Sequence, residues 1–155
     1  MERVLNKNLM AILPEYAEAR GNCTVIYSLD LEPFILEKSV KAVLRLIGKH
    51  YMIDLKEMKK RYGTLVTSPN LVPIPLSRKD ILIPFKTRAP ISRNDGAFGY
   101  VNMRYIDKVY RGKDSTIIRL SNGVIIKCLC NLSTVDKHMK NGYIISRCYE
   151  ERGMI

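Results

Sequence analysis

A mainly β fold, a β-rich α+β arrangement of small antiparallel, barrel-like sheets with two or three short helices, is what this 155-residue chain predicts. Three observations carry that expectation. From Leu71 to Tyr110 short apolar runs (LVPIPL, DILIPF, GAFGYVN) alternate with polar turns at strand spacing. A hairpin signature follows, in which Thr116–Leu120 and Val124–Cys130 flank Ser121-Asn122-Gly123; three loop residues with glycine last suit a type I turn closed by a left-handed glycine. Helical periodicity is confined to short stretches. A chain of this length buries roughly 68–70% of its unfolded surface, enough for a core without staples.

Taken in order, residues 9–13 (LMAIL) read as a strand that stops at Pro14, and Gly21-Asn22 marks a turn. Thr24 to Leu29 alternates as a strand, and Phe34 to Leu36 forms another short one after Pro33. In 40–47, Val40, Val43, Leu44 and Ile47 form one apolar stripe, with Ser39 as cap and Gly48 as stop. Asp54 and Glu57 make a capping-box arrangement for a second helix over 55–62, closed by Gly63. Pro73, Pro75 and Pro84 confine their strands to edges or bulges, because proline donates nothing to a ladder. Ile81, Ile83 and Phe85 share one side of a strand, and Phe98 and Tyr100 one side of the next. Both faces of the 116–130 hairpin carry apolar residues, which predicts a central position. A short helical turn over 136–140 ends at Asn141-Gly142, and a last helix spans 143–151.

The charge is unevenly spread. The net charge is +11, yet residues 1–37 carry −3 and residues 38–155 carry +14. One domain over 1–155, with an acidic strip at 1–37 and a basic body at 38–155, is the expected organisation. Such a body suits a polyanion. No apolar run approaches the roughly 20 residues of a membrane span, and the first ten residues lack the features of a secretory signal, so a cytoplasmic protein is expected. In that compartment Cys23, Cys128, Cys130 and Cys148 are thiols. Cys128 and Cys130 face one side of a strand, which fits core packing better than half of a metal site; His50 and His138 are too far off in sequence to complete one. No metal, no cofactor and no catalysis are expected: there is no Ser–His–acid set, no GxxxxGK loop and no HExxH.

The basic turns hold the functional signal. Arg78, Lys79, Lys86, Arg88 and Arg93 fall within sixteen residues, separated by strands, so they are expected to share one rim and meet phosphate or an A·T-rich minor groove. Asn94 and Asn102 are second candidates, for hydrogen bonds to sugar or base edges. No helix–turn–helix stands out, which favours readout from strands and loops.

Along nearly its whole length the chain resembles the ComK competence transcription factors. The resemblance rests on Ala11-Ile12-Leu13-Pro14-Glu15, Ser39 to Tyr51, Pro73-Ile74, Ile81-Leu82-Ile83-Pro84-Phe85, Phe98 to Ile106 and Leu120-Ser121-Asn122-Gly123, in that order. It implies a regulator that binds double-stranded, A·T-rich promoter boxes through the minor groove and assembles as a homodimer or higher oligomer. It also implies recruitment of RNA polymerase and control by a Clp-protease adaptor. The chain departs in having Asp95-Gly96-Ala97-Phe98 for the family's Cys–Gly–Trp, in reversing the Phe–Pro order at Pro84-Phe85, and in closing sooner after the hairpin. Residues 98–135 also resemble LytTR DNA-binding domains, which likewise read DNA from loops between strands. Two other readings follow from the residues. One is a regulatory protein-interaction module that meets an acidic partner. The other is a PilZ-like cyclic-dinucleotide sensor, for which the spacing of Arg88 and Arg93 is five rather than four.

Overall fold

The computed structural model describes residues 8–17, 21–66, 70–89 and 96–153. Among the described residues nine strands and three helices follow in the order β1 (Leu9–Ala17), β2 (Gly21–Ser28), β3 (Phe34–Leu36), α1 (Val40–His50), α2 (Leu55–Gly63), β4 (Ile74–Pro75), β5 (Ile81–Lys86), β6 (Phe98–Asn102), β7 (Ile106–Arg111), β8 (Thr116–Leu120), β9 (Ile125–Cys128) and α3 (Leu132–Gly153). A single 3-10 turn, Met103–Tyr105, separates β6 from β7. All pairing is antiparallel, in a large sheet ordered β3-β2-β1-β6-β5-β4 and a small sheet ordered β7-β8-β9. The β-rich α+β expectation holds.

The large sheet is buried on both faces, and its strands supply each face by alternation. Leu82, Ile12, Ile26 and Tyr100 pack against Val40, Val43 and Ile47 of α1. Ile83, Phe85, Ala11 and Val101 pack against Ile118, Leu120, Ile126 and Cys128 of the small sheet and Val135 of α3. A register shift between Leu9 and Ala11 lets Met10 and Ala11 both join the second core. At the β4 edge, α2 packs Tyr62 and Met58 with Val72 and with Ile145 of α3.

The helix caps form as the sequence predicts: the Ser39 hydroxyl accepts from Ala42 N–H at 3.1 Å, and Asp54 Oδ1 accepts from Lys56 and Glu57 N–H. Gly123 sits at φ +90, and its N–H donates to Leu120 O, so the hairpin turn is the one predicted.

Four expectations are corrected. The first strand runs through Pro14 to Ala17, because β6 pairs with β1 only at Ala11 and Ile12; Pro14 is buried with its Cδ toward Gly99 of β6, beyond the paired residues, so its missing N–H interrupts no pairing with β6. Helix α1 runs past Gly48 to His50. The two separate C-terminal helices are one helix of 22 residues. Asn141 and Gly142 sit inside it and are buried, because α3 lies close on β5: a Cβ at Gly142 would come within 2.7 Å of Ile83 Cδ1. Glycine there serves close approach rather than a stop. The hairpin is central in one sense only. Strand β8 lies between β7 and β9, but just one face of the small sheet is in the core.

Candidate nucleic-acid interface

The basic turns divide between the two ends of the large sheet. In an antiparallel meander successive turns lie at opposite ends, so the β4–β5 turn with Arg78 and Lys79 and the β5–β6 connection with Lys86 and Arg88 are separated by the length of β5. That is roughly 17 Å at the usual rise per residue. The single rim expected from the spacing does not form.

At the first end the turn is built by Ser77 and Asp80. Leu76 N–H donates to Asp80 O at 2.8 Å, Ser77 Oγ–H donates to Asp80 Oδ2 at 2.9 Å, and Asp80 N–H donates back to Ser77 Oγ. Arg78 and Lys79 are thereby left outside. Arg78 Nη2 meets Glu150 Oε1 of α3 at 3.2 Å, an exposed pair, whereas Lys79 has no partner among the described residues. Asn102 lies beside this turn but is 1% exposed. Its Nδ2 donates to Leu9 O and to Asp80 Oδ1, both at 2.9 Å, and its Oδ1 accepts from Arg104 N–H at 3.2 Å. Asn102 therefore joins β1, the β4–β5 turn and the 3-10 turn internally, and its amide does not reach the surface as the sequence reading expects.

At the other end Lys86 is exposed, with no partner among the described residues for its ammonium, while its carbonyl accepts from Leu129 N–H at 2.8 Å. Arg88 turns back onto the β1–β2 hairpin. Its guanidinium lies 4.0 Å over the Tyr16 ring, Nε donates to Gly96 O and Nη2 donates to Asn22 Oδ1, both at 2.6 Å. Thr87 N–H donates to Ala97 O at 2.9 Å. Arg88 thus clamps the base of the 88–96 connection. Arg93 and Asn94, which the sequence places in that connection, lie outside the described residues.

Sequence reasoning missed a third basic surface. The solvent face of the small sheet carries Lys108, Arg119 and Lys127, all exposed. The signal was present in the alternation of Ile117 and Arg119 with Thr116, Ile118 and Leu120, but apolar residues on both faces suggested a buried hairpin.

Two titratable side chains, Cys128 and His138, belong to the buried interior. Burial, with Cys130 beside it, pushes the Cys128 thiol up to about 12, so it stays protonated in the core. Burial, then the Lys137 charge, lowers the pKa of His138, whose ring sits edge-on to Phe85 at 6.1 Å. Among the described residues no group of three or more His, Cys, Asp or Glu is placed to hold a metal, and no helix is long and apolar enough to cross a membrane.

No curated protein and no solved structure matches the chain. The family model described as ComK protein matches residues 2–152, nearly the full 155. With that coverage the chain belongs to the ComK family, and its role is that of a competence transcription factor.

Proposed function

We propose that the chain acts by binding double-stranded DNA, preferring A·T-rich boxes entered from the minor groove. The observation that carries the reading is uncompensated charge on a transcription-factor chain: residues 38–155 hold +14, and Lys79 and Lys86 keep exposed ammonium groups free of internal partners among the described residues. The 88–96 connection is the groove-entering element in this proposal. Arg88 positions it from below, Arg93 and Asn94 supply contacts from within it, and Lys86 meets phosphate beside it. Arg78 and Lys79 belong to a second phosphate contact, about one β-strand away. Assembly as a homodimer or higher brings two such surfaces to one promoter; RNA polymerase and a Clp-protease adaptor are the proposed protein partners.

Duplex titration at several salt concentrations tests the reading. Log affinity is expected to fall linearly with log salt, by about 0.9 per phosphate contact. A minor-groove-filling ligand is expected to compete on A·T-rich duplexes. A flat salt response rejects DNA binding, and indifference to the groove ligand rejects minor-groove entry alone.

A further inference from the structure

The solvent face of the small sheet interleaves exposed cations with exposed apolar side chains. Cross-strand register sets two rows on it, Lys108–Arg119–Ile125 and Tyr110–Ile117–Lys127. Cations therefore sit at opposite corners, on β7 and β9, with a third on the middle strand. Between them Tyr110 is 45% and Ile125 is 52% exposed, a large apolar exposure for a sheet face whose other side is fully in the core. Asp107 Oδ2 lies 3.8 Å from Arg119 Nε, a loose contact between half-exposed groups. Lys108 and Lys127 have no partner among the described residues.

We infer that this face is a second DNA-docking surface, which lies along the sugar–phosphate backbone of a duplex. The inference rests on the DNA-binding reading above and says where the body of the protein sits while the 88–96 connection reaches the groove. Charge complementarity selects the partner: three cations on the face, two of them with no partner among the described residues, suit a polyanion. Shape selects the mode. Three strands at about 4.8 Å spacing span roughly 10 Å, too broad for a minor groove about 6 Å wide. Tyr110, Ile117 and Ile125 then cover the apolar side of deoxyribose, and the Tyr110 hydroxyl is in a position to donate to phosphate oxygen. The bond from Leu129 N–H to Lys86 O joins the exit of β9 to the Lys86 end of the large sheet, so the small sheet is tied by backbone to the strand end that carries Lys86.

The test compares two triple variants that lose the same charge. Lys108→Gln/Arg119→Gln/Lys127→Gln alters the small-sheet face. Lys41→Gln/Arg45→Gln/Lys49→Gln alters exposed positions of α1, on the opposite side of the large sheet. The first is expected to flatten the salt slope by about 2.7, equally on A·T-rich and mixed duplexes, and the second to change it by less than about 1. Amine acetylation of the unaltered protein is a second readout that needs no variant to fold: duplex is expected to protect Lys108 and Lys127 more than Lys41 and Lys49. Equal slope losses in the two variants, or no protection of Lys108 and Lys127, overturn the proposal while leaving DNA binding intact. Protection by polyglutamate but not by duplex overturns it in favour of an acidic protein partner. A flat salt response of the unaltered protein is the separate signature that the underlying DNA-binding reading has failed.

Discussion

Asn102 and Arg88 at the large sheet and Lys108 and Lys127 on the small one dispose of their polar groups in opposite ways. Around the large sheet, Asn102 and Arg88 are spent on internal bonds: Asn102 ties Leu9 to Asp80, and Arg88 ties Tyr16, Asn22 and Gly96 together. On the small sheet Lys108 and Lys127 stand on the outer face with no internal partner among the described residues. The difference teaches that a basic or amide residue in a turn is weak evidence of contact with a ligand. Turns need side chains to hold them, and Arg and Asn, with several donors each, are well suited to that task. A cation on the outer face of a paired strand has no such local duty, because the ladder is already complete.

That comparison can be broken by mutation, and the largest effect is expected at Asn102. Asn102→Ala leaves the Leu9 carbonyl, the Arg104 amide and part of the Asp80 carboxylate short of partners, and should cost about 3 kcal/mol. Denaturant unfolding reads it as a lower midpoint at constant m, and the salt slope of duplex binding should not change. Wild-type stability together with lost binding would reverse the roles assigned here.

A smaller effect is expected at Arg88. Arg88→Ala removes two charge-assisted hydrogen bonds and a ring contact from a half-buried position, for about 1–2 kcal/mol. Lys127→Ala, on the other sheet, should stay within about 0.5 kcal/mol. Thermal melts of the two variants side by side sharpen the contrast between a clamp and a free cation.

The smallest effect is graded with pH. The folded pKa of His138 lies below the ordinary 6.5, by burial first and Lys137 second. Between the two values the unfolded chain binds more protons than the folded one, so stability is complete at neutral pH and declines as pH falls below 6.5. His138→Leu should flatten that decline in melting curves between pH 7.5 and 5.5.

Much of the architecture was legible. Ser39, Asp54 and Gly123 announce a cap, a cap and a turn, because each acts on backbone within a few residues. The misreadings all depend on distant partners. Gly142 looks like a helix stop until β5 is seen to press against it. Pro14 looks like a strand end until the pairing with β6 is seen to stop at Ala11 and Ile12, so that no ladder bond to β6 is asked of it. For the candidate site, the spacing of the turns was legible, but their division between opposite ends follows from topology. Lys108, Arg119 and Lys127 were overlooked because alternation shows that two faces exist without showing which is covered.

The joint between Leu129 and Lys86 has a practical use. At this joint one amide proton, that of Leu129, spans the seam to the Lys86 carbonyl of the large sheet. Its hydrogen-exchange rate is a clock on the seam itself, set by how often the layers part rather than by how often either frays. Followed by magnetic resonance as a binding partner is added, that one resonance would report whether the molecule engages as a single rigid block or as two plates that shift against each other.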